Sequence, residues 1–286
     1  MCYLYCKQLF ILQTEMKLIL ILSGLLTIQA GVIKREICAG VTIYGVCHKR
    51  EILYENIRPP FSLAVDQKSN ILYFSHELTD FVYTTARFNL DTKEFKNIVA
   101  GGFDQVVDRN SHDVYIGTNY GFYKYDPVDD KATFIGAKDV NTWNIYYNDS
   151  ILYYVRFPKN TLNTFQNGVS KKFLELQDTN VDDFIIDNEF IYFTNDTGLY
   201  SQKKGTNDTV LYNCPCRKVK KFTLDTKGTV HICMQDGVYV VKKDTLTVEK
   251  IVDIDFVYGC AFDKNNNILY SDFTKLVRFL PVTDEK

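Results

Sequence analysis

The chain has 286 residues, of which 46% are hydrophobic and 24% charged, and its formal net charge is −2 at pH 7. This composition supplies ample apolar material for a packed core and excludes a largely disordered chain. The nearly neutral charge provides no basic field for nucleic acid or an anionic membrane surface, so neither is expected as a partner. Twenty Tyr and twenty Phe against six Pro favour β-strands.

The first thirty residues have the pattern of a secretory signal peptide. From Met16 the chain reads MKLILILSGLLTIQAG, which is one Lys, a short apolar run and then smaller residues. The run is too short for a comfortable membrane span, and Ala30 or Gly31 would be the last residue removed. Residues 1–30 are therefore predicted to be a signal peptide, with translation starting at Met1 or Met16. The mature protein is predicted to be secreted and extracellular.

Six of the eight cysteines lie beyond the predicted signal peptide, which is an even number, as expected of disulfides in a secreted chain. They are Cys38, Cys47, Cys214, Cys216, Cys233 and Cys260. A Cys38–Cys47 bond is predicted because it closes a short loop in the N-terminal segment 31–50. The other four cysteines allow three pairings, and the sequence does not choose among them. No His stands at ligand spacing from the Cys-Pro-Cys motif, so neither a metal nor a cofactor is predicted.

Three Asn residues stand in Asn-X-Ser/Thr sequences, which are acceptors for N-linked glycans. They are Asn148, Asn195 and Asn207. Each is predicted to be a glycosylation site on an extracellular surface.

Beyond the N-terminal segment, one pattern is repeated six times. Its first copy, FSLAVDQKSNILYFSHE over 61–77, reads as a strand, an Asp-led turn and a second strand. The residues near the middle of the second strand stand 42, 38, 39, 39 and 39 positions apart; they are Tyr73, Tyr115, Tyr153, Tyr192, His231 and Tyr270. Copies carry two further strand-like runs. Residues 51–286 are therefore predicted to form an all-β, six-bladed β-propeller with four antiparallel strands per blade.

The phase of the repeat predicts how the ring closes. The chain ends on the third strand of the last copy, KLVRFLPV, whereas EILYENI over 51–57 precedes the first copy, where a fourth strand would stand. Residues 51–57 are therefore predicted to complete the last blade. Closure removes exposed sheet edges, so a monomer is expected.

The segment ICAGVTIYGVCHKREILYENIRPPFSLAVDQKSNILYFSHE over 37–77 resembles the ommochrome-binding proteins of moth haemolymph. The resemblance extends from about Met16 to the C-terminus. It implies a secreted, non-catalytic haemolymph carrier of ommochromes, the tryptophan-derived phenoxazinone pigments of insects, and in particular of ommatins. No ligand-binding motif comes with the resemblance, so it gives the class of ligand and not the site.

The ligand is predicted to bind on the face that gathers the loops entering each innermost strand and those linking strands two and three. A flat ring system needs aromatic stacking partners, and its carboxylate would be bound by the planar fork of Arg156. The predicted contacts are Phe61, His76, Gln105, Tyr120, Trp143, Arg156, Asp183 and Tyr258. Packing in the core is an equally good interpretation of Trp143.

The main alternative is a calcium-dependent lactonase or esterase, similar to the gluconolactonase group. Such an enzyme needs acidic and amide oxygens that converge on the central channel, for which Asp104, Asp182 and Asp183 are candidates. The innermost strands begin instead with Phe, Trp and Val residues, and no G-x-S-x-G, H-E-x-x-H or phosphate-binding glycine loop is present. The sequence therefore favours a non-catalytic protein. A protein-binding propeller is a third class, supported by the fold alone.

Overall fold

The computed structural model describes residues 38–214 and 219–282, so the predicted signal peptide and Cys216 lie outside the described residues. The described chain contains 25 strands and one 3-10 helix at Leu174–Leu176. Across these residues, no helix has the length and apolarity that a membrane span requires. The predicted all-β class is confirmed.

The chain enters through two strands of the last blade and then builds three blades in succession, each a four-stranded antiparallel sheet. The entering strands are β1 (Val41–Ile43) and β2 (Val46–Glu55). Blade 1 contains β3 (Phe61–Asp66), β4 (Ile71–Thr79), β5 (Val82–Asn89) and β6 (Phe95–Ala100). Blade 2 contains β7 (Gly102–Val107), β8 (Val114–Thr118), β9 (Gly121–Asp126) and β10 (Lys131–Gly136). Blade 3 contains β11 (Thr142–Asn148), β12 (Ile151–Arg156), β13 (Thr161–Gln166) and β14 (Val169–Lys172).

The second half of the ring repeats this arrangement. Blade 4 contains β15 (Asp183–Ile186), β16 (Phe190–Asn195), β17 (Gly198–Lys203) and β18 (Thr209–Leu211). Blade 5 contains β19 (Val219–Leu224), β20 (Val230–Met234), β21 (Gly237–Lys242) and β22 (Thr247–Asp253). Blade 6 contains β23 (Gly259–Phe262), β24 (Ile268–Ser271) and β25 (Lys275–Pro281), together with β2 and β1. The first strands of neighbouring blades pack side by side around the channel, including β23 against β3.

The ring closes as predicted, through an N-terminal strand in the last blade. Strand β2 pairs antiparallel with β25, with Ile52 opposite Val277, Tyr54 opposite Leu276 and a bulge at Leu53. The strand begins at Val46, earlier than the predicted 51, and a fifth strand, β1, extends the sheet. A two-residue turn joins these two strands, and both of its residues have positive φ, as a type I′ hairpin requires.

The Asp that marks each repeat is a turn residue at the lower face, the face opposite the predicted ligand site. In five blades the Asp carboxylate accepts a hydrogen bond from the backbone N–H two residues on, at 2.8–3.1 Å. These residues are Asp66, Asp108, Asp187, Asp225 and Asp263. Such Asx turns account for the Asp without any catalytic role.

The prediction that the cysteines form disulfides is confirmed. Cys233 on β20 is bonded to Cys260 on β23, both buried, with their Cα atoms 5.8 Å apart. This bond joins blade 5 to blade 6 and settles one of the pairings that the sequence left open. Cys38, Cys47 and Cys214 are disulfide-bonded as well.

Candidate ligand-binding site

A pocket of about 520 Å³ opens at the upper face, where the loops enter the innermost strands. This volume is within the usual range for small-molecule sites. Blades 1, 2, 3 and 6 contribute aromatic rings to its wall, whereas blades 4 and 5 contribute Asp182, Asp183, Lys220 and Lys221. The pocket therefore has an aromatic side and a charged side.

Four of the lining rings form a row in which neighbours are in contact, and Phe157 extends the row beyond the pocket; these five rings are here called the aromatic arc. Ring centroids are 5.8 Å apart from Phe61 to Tyr83, 4.9 Å from Tyr83 to Phe103, 6.3 Å from Phe103 to Trp143 and 4.9 Å from Trp143 to Phe157. The Phe103 and Trp143 planes lie within 15° of parallel. Trp143 is 55% exposed, so it is a surface residue and not part of the core. The exposed ring of Trp143 and the half-buried ring of Phe103 beside it offer stacking surface to a flat ligand.

β-Bulges place these residues at the upper mouth. Phe103, Trp143 and Lys220 are each the unpaired extra residue where the register shifts at the start of β7, β11 and β19. A bulge re-aims the side chains on either side of it. The residue after each bulge, Asp104, Asn144 or Lys221, is buried between the innermost strands. One local distortion, repeated in three blades, thus supplies both the wall and the floor of the pocket.

The floor is a buried polar cluster, here called the polar layer, formed by Asp104, Asn144, Asp183 and Lys221. Lys221 Nζ donates to Asp104 Oδ2 at 2.6 Å and also to Asn144 Oδ1, while Asn144 Nδ2 donates to Asp183 Oδ1. Backbone N–H groups add further hydrogen bonds, from Ile145 to Asp104 Oδ2 at 2.7 Å and from Phe222 to Asp183 Oδ2 at 2.9 Å, whereas Asp104 Oδ1 is buried without a partner. The layer closes the channel beneath the pocket.

The polar layer does not fit a calcium ion. Calcium takes six to eight oxygen ligands, whereas here an ammonium group already lies among the oxygens, bonded to Asp104 and Asn144. A divalent cation at this place would be held within a few ångströms of a buried positive charge. Among the described residues, no group of three or more His, Cys, Asp or Glu side chains is arranged to hold a metal. The geometry argues against the calcium-dependent hydrolase.

Asp183 is the most strongly perturbed acid of the pocket. Burial raises its pKa to about 6, the nearby Lys221 opposes that rise, and the Asp104 carboxylate adds to it. In the unfolded chain an Asp titrates near pH 3.9, so the folded state binds the proton more tightly. The contribution of Asp183 to stability is therefore greatest below about pH 4 and is lost as the pH rises through about 6.

Replacing Asp183 with Asn should remove this pH dependence. We expect the free energy of unfolding of wild type to fall between about pH 4 and 6 relative to that of Asp183→Asn. In this range unfolding releases a proton from residue 183 in wild type, whereas the amide side chain of the variant has none to release. Denaturant unfolding at a series of pH values measures the difference. The exposed Asp255→Asn variant is the control and should run parallel to wild type. A difference that stays constant across this range would contradict the assignment.

The structure brings four of the eight predicted contact residues together at the pocket: Phe61, Trp143, Asp183 and Tyr258. Tyr258 also packs beneath Lys220, whose Nζ lies 5.6 Å from the ring centroid.

The other four predicted contacts lie elsewhere. His76 is buried within blade 1, where Nε2 is 2.8 Å from Asn97 Oδ1, and Gln105 lies in the channel below the polar layer. Tyr120 and Arg156 are exposed and lie outside the residues that line the pocket. Tyr83, Phe103 and Lys220 also line the pocket and are not among the eight predicted contacts; Tyr83 lies on the third strand of blade 1.

Comparison with known proteins supports both the fold and the resemblance. No protein-family model matches the chain. The ommochrome-binding protein of Manduca sexta is 26% identical over 250 residues, which cover 84% of this chain and 90% of that protein. Among solved structures, a gluconolactonase of Xanthomonas campestris has a TM-score of 0.65 at 11% identity, covering 86% of this chain and 96% of its own. The calcium-binding protein regucalcin of Agrobacterium tumefaciens has a TM-score of 0.58 at 10% identity, with coverages of 81% and 94%.

The two structural similarities are too low in identity to show more than the propeller fold. The sequence similarity extends over most of both chains, and that protein is named as a binding protein. The resemblance predicted from the sequence is therefore confirmed, since this chain is similar over most of its length to the ommochrome-binding protein of Manduca sexta.

Proposed function

We propose that this protein is a secreted, non-catalytic carrier that binds ommochrome pigments of the ommatin type in the upper pocket. The observation that carries the proposal is the aromatic arc at that pocket, with Trp143 exposed, in a chain similar to a protein named for ommochrome binding. The pigment ring system would stack on Phe103 and Trp143. Stacking surface of this kind is what a fused aromatic ligand requires.

The charged side of the pocket would bind the polar edge of the pigment. Lys220 is exposed and lines the pocket, so its ammonium is available to a ligand carboxylate. Arg156, to which the sequence analysis gave this role, lies outside the lining residues. We therefore assign the carboxylate contact to Lys220. Burial raises the pKa of Asp182, next to the floor, as expected of an acid at the edge of a pocket.

An extracellular location forms part of the proposal. It rests on the predicted signal peptide over 1–30, on the disulfides and on the glycosylation sequences. Asn207 is exposed between β17 and β18 and is the most accessible of the three acceptors. Asn148 and Asn195 are half-buried, and Asn195 Oδ1 accepts a hydrogen bond from Thr197 N at 2.9 Å. We propose Asn207 as the main glycan site and a monomer as the working state.

Titration of the mature protein with an ommatin tests the proposal directly. Trp143 is the single Trp of the chain, so its emission reports on the pocket alone, and we expect quenching as the pigment binds. Trp143→Ala should weaken binding by about 1–3 kcal/mol, measured by pigment absorbance or calorimetry, because a stacking partner is lost. Tyr120→Ala is the matched control, since Tyr120 is exposed on the same face but outside the pocket.

Two results would overturn the carrier function. One is the absence of both quenching and an absorbance change at pigment concentrations that saturate a typical carrier. The other is hydrolysis of lactones that stops when a chelator removes calcium, because the polar layer would then have to hold the ion that its geometry disfavours. An unchanged affinity of Trp143→Ala would place the pigment elsewhere on the protein.

A further inference from the structure

The channel contains a second cavity below the polar layer, of about 350 Å³, here called the lower chamber. We infer that the lower chamber is a separate binding site for a neutral, mainly apolar small molecule that carries one hydrogen-bond acceptor, such as a ketone or ester carbonyl. This inference is independent of pigment binding in the upper pocket.

The wall of the lower chamber combines a ring of apolar residues with polar side chains, among them Gln105, Arg109 and Lys221. Every innermost strand contributes an apolar residue to it, namely Val65, Val107, Ile145, Phe184, Phe222 and Ala261. This apolar ring offers contact surface to the hydrocarbon part of a ligand.

One polar side chain of the chamber lacks a partner. Gln105 is 2% exposed, and its Oε1 accepts from Ser75 Oγ at 2.9 Å, yet Nε2 has no hydrogen-bond partner. A buried amide N–H without an acceptor is unfavourable, so a ligand oxygen beside it would bind well. Lys221 also lines the chamber, and of its three N–H groups two serve Asp104 and Asn144. The chamber thus offers donors and needs an acceptor.

The surrounding charges favour a neutral ligand. At the inner end, Lys221 is offset by the carboxylates of Asp104 and Asp183, so a ligand carboxylate would meet two buried negative charges. A ligand ammonium would meet Lys221 itself. At the lower end, Asp66 Oδ1 lies 2.9 Å from His112 Nδ1 and close to Arg109 in the lining. The one excess negative charge disfavours an anion, and the Lys221 ammonium stands where a cation would have to lie, so a neutral ligand fits best.

The polar layer separates the lower chamber from the upper pocket, and one side chain crosses the lower mouth of the chamber. Arg109 of blade 2 donates from Nη2 to the backbone oxygen of Asp225 in blade 5 at 2.6 Å. Blades 2 and 5 stand opposite each other in a six-bladed ring, so this hydrogen bond spans the lower mouth. A ligand would enter past the Arg109 side chain.

The test uses 2-heptanone as the probe, with heptanoate and heptylamine as charged analogues of similar length. We expect calorimetry and ligand-observed NMR to show that wild type binds the ketone at least tenfold more tightly than either ion. Gln105→Leu, which keeps the bulk but loses the donor, should weaken ketone binding about tenfold. Arg109→Ala should leave ketone affinity within about twofold and speed both association and dissociation, because the side chain that crosses the mouth is removed.

Controls separate this site from the pigment site. Trp143→Ala should leave ketone binding unchanged, and Gln105→Leu should leave quenching of Trp143 by an ommatin unchanged. The inference is overturned if millimolar 2-heptanone does not bind wild type, if heptanoate binds as tightly as the ketone, or if Trp143→Ala abolishes ketone binding. Should Gln105→Leu fail to fold, unchanged exchange rates in Arg109→Ala would still overturn the chamber as the site.

Discussion

Replacing Lys221 with Met should lower the free energy of unfolding by about 3–5 kcal/mol, the usual cost of removing one partner of a buried ion pair. The Lys221–Asp104 pair is 2.6 Å long, and the Asp104 side chain is fully buried. Without the ammonium, the buried carboxylate of Asp104 has no opposite charge beside it, and its Oδ1 already lacks a hydrogen-bond partner. Asn144 Oδ1 also loses its donor. Met fills a similar volume, so lost charge pairing and not a cavity would dominate the change.

The neighbouring lysine provides a matched control. Lys220→Met makes the same chemical change one residue earlier, on an exposed side chain over the Tyr258 ring. Its effect on unfolding should stay within about 0.5 kcal/mol, as is usual for surface substitutions. Adding Asp104→Asn to Lys221→Met should recover part of the loss, because the unpaired charge is then removed. A Lys221→Met variant as stable as Lys220→Met would show that the polar layer does not hold the channel together.

The blade architecture could be predicted because it depends on local pattern and period. A spacing of 38 to 42 residues and a turn led by Asp, or by Asn148 in the third copy, determine six blades, and the phase of the copies determines that residues near Ile52 must close the ring. These features need no knowledge of long-range side-chain contacts. The extra strand β1 was missed, because the Tyr44-Gly45 turn that creates it lies outside the repeat.

The site could be predicted less completely, because bulges decide which residues reach it. In a regular strand, neighbouring side chains point to opposite faces of the sheet, so the face of each residue follows from its position in the strand. The register shift at Phe103, Trp143 and Lys220 changes that alternation, and these three residues have no side-chain type in common from which a bulge could be predicted. Gln105 therefore lies in the lower chamber, although its position in the chain suggested the upper face. Tyr83 reaches the pocket from a third strand by ring contacts that a repeat pattern does not encode.

The Cys233–Cys260 disulfide closes a sequence separation of 27 residues, which corresponds to about 3–4 kcal/mol of stabilisation in the chain-entropy description. Replacing both cysteines with Ala should lower the free energy of unfolding by about that amount, measured by denaturant unfolding without reductant. Either single Ala variant should lose nearly as much, since one substitution already breaks the bond.

The position of this bond makes the effect global. Cys260 lies on β23, the innermost strand of the blade that the two ends of the chain complete, and Cys233 lies on the adjacent blade. Strand β23 is otherwise held by its four-residue pairing with β24 and by packing against β3 and β19. Losing the disulfide therefore weakens blade 6, in which the ring closes. The double variant should unfold in one transition, with its midpoint at a lower denaturant concentration. If blade 6 came apart in a separate early transition, the closing strand β2 and not the disulfide would be the limiting element. A loss below about 1 kcal/mol would show that packing alone secures the seal.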